Sequence, residues 1–138
     1  MPEVDAVVGT NERKRIVSIV GELIAGGGDE AFTAVHDVRR HDEFEEIPLY
    51  PSAVEHTRAD LKIQEGCNNF CAYCIIPYTR GALKSRRPDA VIAEAKRLVD
   101  AGFKEIVLTG IHLGAYGRDL DDHPSLATSS TAWSKKRM

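Results

Sequence analysis

At 138 residues the chain is the size of about one domain. Its 43% hydrophobic and 28% charged residues are ordinary for a protein with a packed core and exclude a low-complexity chain. A net charge of -3 with a pI near 5.9 excludes a generally basic nucleic-acid-binding surface, so any contact with RNA must be local. No apolar run approaches the roughly 20 residues that span a bilayer. The start, Met-Pro-Glu-Val-Asp, has no basic region followed by an apolar one, so a cytoplasmic protein without a membrane segment is expected.

The first predicted element is a strand carried by Val4, Ala6, Val7 and Val8, followed by a Gly9-Thr10-Asn11 turn in which Thr10 or Asn11 is positioned to cap a helix. Ile16, Ile19, Val20, Leu23 and Ile24 then recur at the spacing of one helix face, up to the glycine run 26–28. Between residues 29 and 60 the periodicity is lost. Asp42, Glu43, Glu45 and Glu46 form an acidic run, and Pro48 and Pro51 punctuate an extended stretch. This segment reads as a linker with one short strand near Phe32 to Val35, and His36 and His41 within it read as solvated surface residues.

Leu61 and Ile63 alternate with Lys62 and Gln64, which predicts a strand leading into a loop that holds every cysteine of the chain: Cys67, Cys71 and Cys74. After Pro88, a favourable first-turn residue, the stripe Val91, Ile92, Ala95, Leu98 and Val99 predicts a helix ending at Gly102. Ile106-Val107-Leu108 predicts a buried strand, with Thr109-Gly110 at its carboxyl end. Together these make a β-α-β unit. A right-handed parallel crossover puts both post-strand loops on one rim, where ligands of parallel α/β folds bind.

Three thiols spaced by three and then two residues admit several readings. An odd count at tight spacing argues against a disulfide. Structural zinc needs four ligands, and the nearest histidines, His56 and His112, are isolated on different predicted elements. Chemically idle buried cysteines fit poorly beside Gly66, Asn68 and Asn69, which is loop composition. A cubane iron-sulfur cluster normally takes four thiolates, so three of them suggest three irons tied to protein and one left open. A local basic segment, Arg80, Lys84, Arg86 and Arg87, follows the cysteines with no acidic residue from Ile75 to Pro88. It suits nucleic-acid phosphates, a bidentate carboxylate contact, or simple neutralisation of the acidic remainder.

At these residues the chain resembles a known family. Cys-x₃-Cys-x₂-Cys with Tyr73 before the last cysteine is similar to the motif of the radical S-adenosylmethionine (SAM) superfamily. Lys-Ile-Gln-Glu-Gly-Cys at 62–67, Cys-Ile-Ile-Pro-Tyr-Thr-Arg-Gly at 74–81, Ser85-Arg86-Arg87-Pro88 and the stretch 105–120 resemble the methylthiotransferases. Within them they resemble most the enzymes that act on N6-threonylcarbamoyladenosine beside the tRNA anticodon. The resemblance covers residues 60–120 strongly, the first strand and helix more weakly, and fades after about Asp122.

The fold that it implies is α/β: a remnant of an N-terminal α/β domain at 1–28, a linker at 29–59, and the first β-α-β unit of a partial TIM-like barrel at 60–120. Residues 121–138, rich in Ser and Thr and carrying Trp133, are expected to be a disordered or non-native tail, as from a truncated or shifted reading frame. A piece of this kind leaves apolar faces uncovered and is expected to be marginally stable.

The function that the resemblance implies is transfer of a methylthio group to C2 of the tRNA base. Cys67, Cys71 and Cys74 would hold a 4Fe-4S cluster whose open iron chelates SAM, while Tyr73, Thr109 and Gly110 contact the cofactor. Reduction by an electron donor would then cleave SAM to a 5′-deoxyadenosyl radical, the hard chemistry being the cofactor's. Arg80, Arg86 and Arg87 are the candidates for a tRNA or carboxylate contact. An auxiliary second cluster, which the family holds with three further cysteines, has no ligands in this chain. The alternatives are a catalytically inactive iron-sulfur-binding fragment and a small zinc-binding module.

Overall fold

The computed structural model describes residues 4–26, 31–38, 43–47 and 57–127. The chain divides into two compact units between residues 41 and 42.

In the first unit, β1 (Ala6–Val8) pairs in parallel with β2 (Phe32–Ala34), in the register Ala6 to Phe32 and Val8 to Ala34. The helix opens with a 3₁₀ turn, Thr10–Arg15, that runs on into α1 (Ile16–Gly26). The expected side-chain cap is absent. Gly9 occupies the N-cap with extended backbone and has no side chain to offer, and its carbonyl accepts the amide of Glu12 at 3.1 Å instead. A Cβ on Gly9 would stand 3.3 Å from Ala34 O and Val35 Cα, so the chain passes β2 closely here. Ile19 alone of the helical stripe is buried, while Val17 and Ile24 are 81% and 82% exposed. Glu12, itself buried, joins the two ends of this unit by an ion pair to Arg15 at 3.0 Å and a contact with His36 Nδ1 at 2.9 Å. The hydrogen bond from Arg15 is the main cause holding the Glu12 carboxyl below the ordinary carboxylate range. His36 is thus on the surface, as expected, but meets the Glu12 carboxylate there. His41 and His56 lie outside the described residues.

In the second unit β3 (Arg58–Lys62) and β6 (Glu105–Thr109) pair in parallel, from Arg58 opposite Glu105 to Lys62 opposite Thr109. Between them the chain makes β4 (Gln64–Glu65), the cysteine loop, a short α2 (Ile76–Arg80), β5 (Lys84–Ser85) and α3 (Pro88–Asp100). The predicted strand therefore changes partners: beyond Ile63 it leaves β6, and β4 pairs antiparallel with β5. For this reason the alternation predicted from Leu61 fails at Gln64, which is fully buried rather than facing water.

Helix α3 begins with Pro88 in its first turn, where the missing N-H costs nothing. It ends in a Schellman motif: the amide of Gly102 donates to Val99 O at 2.9 Å and that of Phe103 to Leu98 O at 3.1 Å. Gly102 permits this with φ of 97°. Val91 and Leu98 on α3 join Leu61 and Ile63 in the core, with Phe103 and Tyr116 closing it. Each such side chain contributes roughly 1.5–3 kcal/mol on burial.

The first residues of the segment expected to be a disordered or non-native tail, 121–127, are among those described. Leu126 packs against the core, and a Cβ on Gly117 would stand 1.9 Å from Pro124 O, so residues 121–127 lie on the fold. Residues 128–138, with Trp133, lie outside the described residues. Among the described residues no helix is long and apolar enough to cross a membrane.

Candidate metal-cluster site

Parallel pairing of β3 and β6 brings their carboxyl ends together, and the cysteine loop springs from that end through the two residues of β4. The amide of Ile63 donates to Thr109 O at 2.9 Å, extending the pairing to the point where both chains turn away. Gly66 makes the turn with φ of 70°, and a Cβ there would lie 1.8 Å from Ala82 O. No other residue fits. From Gly66 the loop is held at three points: the amide of Cys67 donates to Gly81 O at 3.2 Å, the amide of Leu83 donates to Asn68 Oδ1 at 2.9 Å, and the amide of Cys74 donates to Cys71 O at 2.9 Å. Phe70 takes up a positive φ of 46° between the first two cysteines.

All three cysteines are free thiols; Cys71 is exposed, and Cys67 and Cys74 are partly buried. A cavity of about 260 Å³ opens beside Cys67, lined also by Asn69, His112, Arg118 and Asp119. Soft thiols presented by one loop, accessible and unbridged, are the donor set an iron-sulfur cluster takes. The residues present fit that group. Among the described residues no three His, Cys, Asp or Glu side chains, the cysteines included, converge on a point where a single metal ion would sit. His112 has its Nδ1 3.4 Å from Asn69 Nδ2 on the loop.

Thr109 and Gly110 stand at the carboxyl end of β6, next to the cysteine loop. Tyr73 is 94% exposed in the turn before Cys74. Phe70 and Tyr78, both exposed, meet edge to face with ring centroids 5.7 Å apart.

The basic segment is less free than its sequence suggests, because carboxylates arrive from elsewhere in the chain. Arg86 is buried, paired with Glu46 through Nε at 2.9 Å and through Nη2, and 3.8 Å from Glu94. Phe44 lies under both its guanidinium and the ammonium of Lys62, at 5.9 and 5.5 Å. Arg80 reaches Glu65 at 3.4 Å, and Lys84 is buried. Arg87 stays on the surface, 3.5 Å from Asp89. Arg86 is therefore an internal tie and not an exposed phosphate contact.

Two residues that shape the site, Gln64 and Asp119, lie in the stretches 62–67 and 105–120 but were not singled out as site residues from the sequence. Gln64 sends its side-chain amide to the backbone on both sides of the site, and Asp119 receives the amide and hydroxyl of Ser85. The sequence signal for Gln64 was the turn beside it, since a buried loop needs something to satisfy its backbone. Tyr116, whose hydroxyl donates to Arg86 O at 2.8 Å, is pushed up to about 12 by burial, with the Asp119 and Asp89 carboxylates adding to it.

Residues 61–127 match the model of the radical SAM superfamily. Over 123 residues the chain is 47% identical to threonylcarbamoyladenosine tRNA methylthiotransferase MtaB of Bacillus subtilis, a match covering 89% of this chain and 27% of that protein. It is 40% identical over 119 residues to tRNA-2-methylthio-N(6)-dimethylallyladenosine synthase of Pelotomaculum thermopropionicum, covering 86% and 26%. Against ribosomal protein uS12 methylthiotransferase RimO of Citrifermentans bemidjiense it is 41% identical over 126 residues, covering 91% and 27%. The chain thus spans about a quarter of the length of the curated relatives it matches. The superfamily match runs from β3 past the cysteine loop and β6, and the similarity to these three methylthiotransferases extends upstream of it.

Proposed function

We propose that this chain is the cluster-bearing part of a cytoplasmic radical SAM methylthiotransferase that modifies C2 of N6-threonylcarbamoyladenosine in tRNA. The observation that supports it most is the three-thiol loop at the joined carboxyl ends of β3 and β6. The 47% identity to the Bacillus subtilis enzyme supports the choice of base.

In this reading Cys67, Cys71 and Cys74 hold a 4Fe-4S cluster, which supplies the electron that activates SAM, itself re-reduced by an electron donor. Exposure of Cys71 and Tyr73 leaves that side of the loop open for a cofactor. Tyr73, Thr109 and Gly110 are the cofactor contacts on the loop and on β6. Arg87, exposed at the start of α3, is the arginine of the basic segment most accessible to a tRNA phosphate. The chain has no thiols beyond the loop, so it contributes none to an auxiliary cluster.

The test is anaerobic reconstitution with iron and sulfide, followed by electron paramagnetic resonance with and without SAM. A reduced cluster whose signal changes with SAM is the expected result. Tight stoichiometric zinc with no iron-sulfur uptake overturns it, and a cluster indifferent to SAM reduces the chain to a cluster-binding piece. The base is tested by nucleoside mass spectrometry of tRNA from a host that lacks this modification and expresses the chain. Methylthio groups appearing on a different adenosine sink the choice of substrate.

A further inference from the structure

We propose that Gln64 is a positioning residue that locks the cysteine loop to the loop after β6, so that both sides of the site move as one body. The proposal rests on reading Cys67, Cys71 and Cys74 as cluster ligands and Thr109-Gly110 as a cofactor contact.

Gln64 has no exposed surface, and a primary amide buried without partners is costly. Its Nε2 donates to Glu65 O at 2.8 Å and to Gly66 O at 2.7 Å, the two carbonyls that lead into Cys67. Its Oε1 accepts the amide of His112 at 2.7 Å, two residues beyond Gly110. The donors therefore hold one loop and the acceptor holds the other, 48 residues away.

The side chain cannot slide between them. Its own backbone is pinned opposite Ser85 in the β4–β5 pair. On the other side, a Cβ added to Gly110 would stand 2.9 Å from both Gln64 Cβ and Oε1, so the second loop rests directly on it. Few side chains satisfy this set. A glutamate accepts but, when ionised, cannot donate to the two carbonyls, and a leucine satisfies none of the three groups. A displacement of Gly66 when the thiols take up a cluster is therefore carried by Gln64 to His112, and from there to Gly110.

The test compares the wild-type chain with Gln64→Glu and Gln64→Leu, all reconstituted anaerobically. Iron bound per chain is read first and apparent SAM affinity, from the change in the resonance signal, second. Expected is near-wild-type iron, because the three thiols are intact, with SAM affinity lower by about tenfold, the scale for residues that orient ligands from behind. Amide hydrogen exchange of the wild-type chain gives a readout free of any variant: loading iron and sulfide should slow exchange at His112. Should neither variant fold, as circular dichroism would show, this measurement decides. Unchanged exchange at His112 on loading, or wild-type SAM affinity in a folded variant, overturns the proposal while leaving the cluster assignment standing. A wild-type chain that takes up no iron overturns the cluster assignment and this proposal together.

Discussion

Asp119 takes two hydrogen bonds from a single residue, Ser85: the backbone amide reaches Oδ2 at 2.6 Å and the hydroxyl reaches Oδ1 at 2.5 Å. The same hydroxyl oxygen accepts the amide of Gly117 at 2.9 Å. The loop after β6 is thereby tied to β5 by one carboxylate. Asp119→Ala leaves the buried Ser85 amide without its partner and is expected to cost about 1–3 kcal/mol. Asp119→Asn keeps an acceptor for that amide and should lose less. Urea denaturation midpoints of the two variants check the order.

Gly66→Ala tests the turn into the cysteine loop. A positive φ and a backbone oxygen 1.8 Å from the new Cβ cannot both be accommodated without moving the chain. The expected loss is about 1–3 kcal/mol from backbone conformation alone. Iron uptake should fall with it, since Cys67 is the next residue. Wild-type iron content in the variant would show that the loop reforms independently of this turn.

Arg86→Ala and Arg87→Ala should differ sharply although the two residues are neighbours. Arg86 is buried between Glu46 and Glu94, and Glu94 is itself buried with Oε1 lacking a hydrogen-bond partner. Removing the guanidinium is expected to destabilise by about 1–3 kcal/mol or more, because a charged acceptor is left with fewer donors. Arg87→Ala, at an exposed ion pair, should lie within about 0.5 kcal/mol of wild type. In an RNA-binding assay the ranking should reverse, with Arg87→Ala showing the smaller salt dependence.

Alkaline stability follows from Tyr116. Its folded pKa is raised from the ordinary 10.0 to about 12, so the folded state favours the neutral phenol. That contribution is complete below 10.0 and declines as pH rises to about 12, because the unfolded chain ionises first. Tyr116→Phe loses the hydrogen bond to Arg86 O and should be less stable at neutral pH by about 1 kcal/mol. It also lacks the phenol, so its stability should fall less steeply between about pH 10 and about pH 12. Parallel curves for the two proteins across that range would contradict this.

The elements were legible wherever local chemistry decides. The stripe of α3, its Pro88 start and its Gly102 stop, the clustered thiols and the strand at 106–108, although half-buried and not buried as expected, follow from periodicity, dihedral preference and spacing, which neighbours along the chain settle among themselves. What tertiary structure decided is where polar groups find partners. Gln64 read as a surface residue because strand alternation assumes one continuous partner, and the switch from β6 to β5 after Ile63 reverses its exposure. Arg86 read as one cation of an open basic run because its carboxylates, Glu46 and Glu94, lie 40 residues before it and nearly two turns into α3. Thr10 and Asn11 read as caps because only folding shows that Gly9 is the residue pressed against β2. Spacing along the chain thus determined the thiol trio and the elements that carry it. Pairings between distant segments, which set the desolvation and partners of each buried polar group, were decided only by the fold.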